Sequence, residues 1–219
     1  FSKEDTSSLK TPKFVYTKFG TYPARVTVTS NRGCAKSISR SVVILPTPNA
    51  RFAATDTCAD SSIVFVNNST VTGGAGITYW WGFGDGDTSI LTQPNHSFSK
   101  DSTYNVQLVA TSKGCTDTTY RTVEIYPNPV AKFVFSNSCP GSLVEFIDSS
   151  RIDTGSLSYA YNFGNGVTSV QQHPNTVFAT AGDYYLNLTV TSNKACVAYF
   201  KDTIVVNPSP SAAFSTNKF

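Results

Sequence analysis

Apolar and polar residues alternate in short runs along the whole chain. Val64 to Asn68, Tyr79 to Phe83, Tyr104 to Thr111 and Thr119 to Tyr126 are rich in Val, Ile, Thr and aromatics, with Gly, Asn and Asp clusters between them. That is the pattern of half-buried strands joined by tight turns. The period of two points Ile63 and Phe65 inward on one strand, Tyr79, Trp81 and Phe83 on the next, and Tyr104, Val106 and Leu108 on a third. No ten-residue stretch carries a helical period, so the expected fold is all-β.

The pattern repeats. Pro46, Pro127 and Pro208 are spaced by 81 residues, as are Phe52, Phe133 and Phe214, and Cys34, Cys115 and Cys196; Cys58 and Cys139 form a second cysteine series. Phe1 to Pro12 lines up with Phe83 to Pro94. The expected division is a C-terminal half repeat at 1–47, complete repeats at 48–128 and 129–209, and the first strand of another at 210–219. On this reading the chain is a window onto a longer array, because half a sandwich exposes its core. About seven short strands in each repeat predict antiparallel immunoglobulin-like sandwiches in tandem. Tyr22, Tyr104 and Tyr184 each open a late strand, where such sandwiches bond a Tyr hydroxyl back to the preceding corner. Each joint is Pro-x-Pro (Pro46-Thr-Pro48, Pro127-Asn-Pro129, Pro208-Ser-Pro210), which predicts short, stiff connectors and sandwiches set in a line.

Composition narrows the function classes. Of 219 residues, 27 are Ser and 28 Thr, and only 14% are charged, with a net charge of +3. A neutral, hydroxyl-rich surface gives no footprint for nucleic acid or an anionic membrane. No apolar run is long enough to span a bilayer as a helix.

Trp81-Gly-Phe-Gly-Asp-Gly86, with Pro94-Asn-His-Ser-Phe98 and Ser102-Thr-Tyr104, resembles the signature of polycystic-kidney-disease-type (PKD) domains. Tyr161-Asn-Phe-Gly-Asn-Gly166 with Gly182-Asp-Tyr184 is a looser copy, and Gly82 stands where the signature has its first aspartate. The resemblance implies a fold more than a chemistry. Tandem arrays with paired cysteines look like surface adhesins and secreted gliding-motility-associated proteins of Bacteroidota, and PKD-type domains also occur as spacers in secreted polysaccharide- and protein-degrading enzymes. The implied setting is extracellular. The expected role is a stalk or filament segment of a large cell-surface adhesin; the alternative is a carbohydrate- or partner-binding accessory module of a secreted hydrolase. Expected partners are neighbouring repeats of the same chain, with any cell-surface or polysaccharide ligand held elsewhere.

Candidate chemistry is sparse. No catalytic residues and no cofactor are expected, since convergent titratable groups, C-x-x-C spacing and G-x-S-x-G are all missing from the sequence. His96 and His173 occupy non-equivalent places beside their prolines and read as polar loop residues. Asp85 and Asp87 are weak Ca²⁺ candidates in a Gly-Asp-Gly-Asp turn, but Asp85 aligns with Lys3 and Asn165, so no charge is retained between copies. Trp80 points outward, as a surface contact for a sugar or partner or as cover for a nearby loop, and its counterpart is Ala160. Asn68, Asn95 and Asn187 fit the N-glycosylation pattern and Asp202-Thr-Ile204 an O-glycosylation one, both common by chance in such a composition.

The cysteines allow two arrangements. Cys58–Cys115 and Cys139–Cys196 would pair within repeats. In an immunoglobulin-like sandwich, however, the turn after the first strand and the turn between the last two strands lie at opposite poles. A strand of about eight residues separates them by roughly 26 Å, against the ~7 Å Cα limit of a disulfide. The favoured expectation is an inter-repeat staple from Cys58 to Cys196, with Cys34, Cys115 and Cys139 pairing outside the window.

Overall fold

A computed structural model describes residues 6–215 of the chain, so Lys3, the counterpart of Asp85, lies outside the described residues. Strands and turns account for the described secondary structure, which includes no helix. The residues before the first Pro-x-Pro give β1 (Gly20–Thr29) and β2 (Ala35–Ile44). The second repeat gives β3 (Phe52–Ala53), β4 (Thr57–Cys58), β5 (Ser62–Val64), β6 (Val66–Asn67), β7 (Thr78–Gly82), β8 (Thr88–Ser89), β9 (Asn95–Ser97), β10 (Ser102–Ser112) and β11 (Cys115–Tyr126). The third gives β12 (Phe133–Val134), β13 (Leu143–Glu145), β14 (Ile147–Asp148), β15 (Leu157–Asn162), β16 (Thr168–Ser169), β17 (Asn175–Val177), β18 (Gly182–Ser192) and β19 (Val197–Val206).

The chain divides into two compact units. The first comprises residues 1–55, 63–96 and 104–123. In it β8, β7, β10 and β11 lie in order in one sheet, and β3–β6 and β5–β9 form the second layer. The layers meet through aromatic rings: Phe52 on β3 is 5.1 Å from Trp81 on β7, and Phe65 is 5.2 Å from Phe83. Alternation decides which side chains arrive there. Phe65, Trp81, Val106, Leu108 and Ala110 are fully buried, while Val64 and Trp80, each one residue earlier than a buried aromatic, are exposed. The Trp81 ring N–H donates to the Leu91 carbonyl at 2.9 Å, so its one polar atom is satisfied inside the core.

The run expected as one strand from Val64 to Asn68 is broken at Phe65. There the chain leaves β9 for β3, and the Phe65 N–H donates to the Pro94 carbonyl at 3.0 Å instead of entering a ladder. The hairpin β1–β2 pairs from Gly20 with Ile44 to Thr29 with Ala35. Its Val26 and Val28 are 60% and 67% exposed, although their counterparts Leu108 and Ala110 are buried.

The second unit comprises residues 56–62, 97–103 and 124–219. Its main sheet is ordered β16-β15-β18-β19, with β12–β14 and β13–β17 as the other layer. Phe133, Phe146, Tyr161, Phe163, Phe178, Leu186, Leu188 and Ile204 fill the core. The strand switch recurs, with Phe146 N–H donating to the Pro174 carbonyl at 2.9 Å. Tyr161 stands where the second repeat has Trp81, and its hydroxyl donates to the Gln172 carbonyl at 3.2 Å. Burial, followed by the nearby Asp148 carboxylate, pushes this phenol's pKa well up. The expected corner bonds are made by Tyr184 to the Thr180 carbonyl at 3.0 Å, and in the first unit by Tyr22 to the Lys18 carbonyl at 2.8 Å. At one end of the second unit β4 runs parallel to the end of β11, Thr57 beside Ile125 and Cys58 beside Tyr126.

Candidate functional site

The Gly84-Asp-Gly-Asp87 turn closes because Phe83 N–H donates to the Asp87 carbonyl at 3.1 Å and Asp87 N–H to Asp85 Oδ1 at 3.0 Å. Gly84 and Gly86 sit at φ +90° and +106°, a region that disfavours side chains. Asp85 Oδ2 is then 2.6 Å from His96 Nε2, and the His96 ring stacks on Phe83, 4.1 Å between centroids and 9° between planes. His96 is therefore not a plain loop residue: it ties the turn to β9. Ligand atoms of Asp85, Asp87 and His96 lie within 4.8 Å of one another. Both Asp85 oxygens are already engaged, and an imidazole is a poor Ca²⁺ ligand, so the arrangement suits an internal clasp better than a calcium site. Burial pushes the Asp85 carboxyl up. The His96 hydrogen bond, the Asp87 N–H and the His96 charge outweigh it and leave the pKa below the ordinary value. His173 does something different, its Nδ1 accepting the Asp148 N–H at 3.1 Å.

Cys58 and Cys196 are joined by a disulfide, with Cα atoms 5.6 Å apart and a sequence separation of 138. The bond lies within the second unit. The pairs Cys58–Cys115 and Cys139–Cys196 are not formed; Cys115 is partly buried, Cys34 and Cys139 are exposed, and all three are free thiols. Cys196 is fully buried, and its N–H donates to Ser192 Oγ at 3.1 Å. The linker Pro127-Asn-Pro129 takes part as well. Asn128 Nδ2 donates to the Ala59 carbonyl at 2.9 Å, Ala59 N–H donates to the Tyr126 carbonyl at 2.9 Å, and Lys194 Nζ lies 4.6 Å from the centre of the Tyr126 ring. With two prolines fixing φ on either side, Asn128 supplies the linker's one anchoring amide.

Trp80 is 41% exposed, and its ring lies along its own strand over Gly82. Gly82, Asn105, Gln107 and Tyr120 line the shallow groove beside it.

A family model described as the PKD domain matches residues 45–125 and again residues 126–207. The chain belongs to the PKD domain family. A stretch of 66 residues is 42% identical to a microbial collagenase of Vibrio alginolyticus, covering 29% of this chain and 8% of that protein, so the chain spans only a small part of this relative's length. The PKD1 domain of Vibrio anguillarum Epp is similar at 34% identity, over 37% of this chain and 96% of that one, with a TM-score of 0.35. The PKD1 domain of the Vibrio cholerae metalloprotease PrtV is similar at 34% identity, over 36% and 98%, with a TM-score of 0.34. PKD domains are non-catalytic accessory modules of secreted proteins.

The PKD signature turn has a steric reason in both complete copies. A Cβ on Gly84 would stand 3.1 Å from the Asn105 carbonyl, and one on Gly164 2.7 Å from the Tyr185 carbonyl, so the turn backbone presses on the neighbouring strand where only glycine fits. Among the described residues no helix is long and apolar enough to cross a membrane.

Proposed function

We propose that these PKD domains, with repeats at 48–128 and 129–209, form a load-bearing stalk segment of a large extracellular cell-surface protein. The observation that carries this reading is the Cys58–Cys196 bond across Pro127-Asn-Pro129. It bypasses most of two repeats with a covalent link, so tension on the chain would pass through sulfur instead of through the sandwiches. The test uses the full-length protein on its own cell under flow. Cells carrying Cys58→Ala with Cys196→Ala should detach at lower shear than wild type, at equal surface abundance. Equal detachment would remove the load-bearing role.

A second reading is supported by the 42% identity to part of a collagenase: an accessory module carried by a secreted hydrolase. It is favoured if the intact protein degrades a polymer and loses activity on the insoluble substrate alone when residues 48–209 are deleted.

A further inference from the structure

We infer that the outer sheet face of the second repeat binds an uncharged polysaccharide, with Trp80 stacked on one pyranose ring. This inference deepens the accessory-module reading above, and it does not depend on the protein carrying a hydrolase. It starts from a paired departure from the third repeat. Trp80 and Gly82 align with Ala160 and Asn162 through their matched strand partners, since Gly82 faces Gln107 as Asn162 faces Asn187. An ideal Cβ on residue 82 would stand 2.8 Å from Trp80 Cη2, so the ring occupies the space that any other side chain at 82 would fill. The glycine thus leaves room for the indole to lie over residue 82, with the ring still 41% exposed as a flat apolar surface. A pyranose presents just such a flat, apolar C–H face, ringed by hydroxyls, and stacking on a fixed aromatic buries it at little entropic cost.

The surroundings supply the hydroxyl partners. On the adjacent strands Gln107 Nε2 donates to Tyr120 Oη at 3.0 Å, which fixes a second exposed aromatic beside the first. Asn105 adds an amide, and Asp87 adds the groove's one carboxylate; no Lys or Arg lines it. Anionic chains are therefore disfavoured, and neutral ones fit. The third repeat has Lys201 opposite Asn187, where the second has Tyr120, together with Ala160, so the platform belongs to the second repeat.

An aromatic laid over a strand glycine also shields the backbone, so binding and stability must be read separately. Residues 1–219 are titrated with cellohexaose, xylohexaose and mannohexaose, and with polygalacturonate as the anionic probe, by calorimetry alongside thermal melts. At least one neutral hexasaccharide should bind. Trp80→Ala and Gly82→Asn should each weaken it by about tenfold or more, the latter by displacing the ring, with the melting curve of at least one of them preserved. Four results would overturn the inference: no binding across the neutral probes, stronger binding of polygalacturonate, binding unchanged in Trp80→Ala, or Trp80-dependent capture of collagen fibrils without any sugar binding.

Discussion

Gly164 is the residue at which the family signature can be tested most directly. It sits at φ +75°, and the nearest atoms to an added Cβ are the Tyr185 carbonyl oxygen at 2.7 Å and nitrogen at 3.0 Å, both backbone and unable to swing away. Left-handed strain in a non-glycine residue costs about 1–2 kcal/mol, and backbone displacement adds to it. Gly164→Ala should therefore lower the melting temperature of the third repeat by roughly 10 °C, since about 1 kcal/mol shifts a domain of this size by ~4–8 °C. Gly84→Ala, whose nearest contact would be 3.1 Å against 2.7 Å, should cost less. A melt of Gly164→Ala matching wild type would contradict this account. The sequence marks both glycines as turn residues, because Gly-x-Gly after an aromatic strand is a local signal. The pressure from the neighbouring strand is a long-range fact that no local pattern carries.

At the scale of elements, the Asp85–His96 contact joins a turn to a strand, and its counterpart shows that the joint matters more than its chemistry. In the third repeat Asn165 Nδ2 reaches Thr176 Oγ1 at 3.4 Å and the Val177 carbonyl at 3.2 Å, an uncharged version of the same clasp. The charged version has a pH signature. Because the folded-state pKa of Asp85 is depressed, its contribution is complete above the ordinary carboxylate value of 3.8 and is lost as pH falls through the lower folded value. The second repeat should melt earlier as pH falls below 3.8, and Asp85→Asn, which borrows the third repeat's residue, should flatten that slope. A slope unchanged in the variant would place the acid sensitivity elsewhere. In the sequence His96 and His173 sit at non-equivalent places and read as polar loop residues; the partner that gives His96 its role is brought to it only by the turn. The alternation around Trp81 and Leu108 was legible because strand facing is set by immediate neighbours. The break at Phe65 was not, because it depends on the distant carbonyl of Pro94. Trp80 and Gly82 were each noticeable alone, but their dependence on one another appears only with the direction of the indole.

For the molecule as a whole, the 81-residue period made the succession of sandwiches legible, and pole geometry made the Cys58–Cys196 link one of two arrangements to weigh. The separation of 138 residues exceeds the period, so the covalent loop encloses more than one repeat. One consequence concerns proteases. Lys113 sits exposed at the tip of the β10–β11 turn, with φ +48°, and is an accessible place for trypsin to cut. A single cut there, or at any other peptide bond from residue 58 to residue 196, leaves both pieces attached through sulfur. Protein cut at Lys113 should keep its two pieces together without reductant and release them with it; the pieces apart without reductant would show that the bond does not hold them. A chain laced in this way can be nicked without being severed, so that damage to its peptide backbone and loss of whatever lies beyond the damage become separate events.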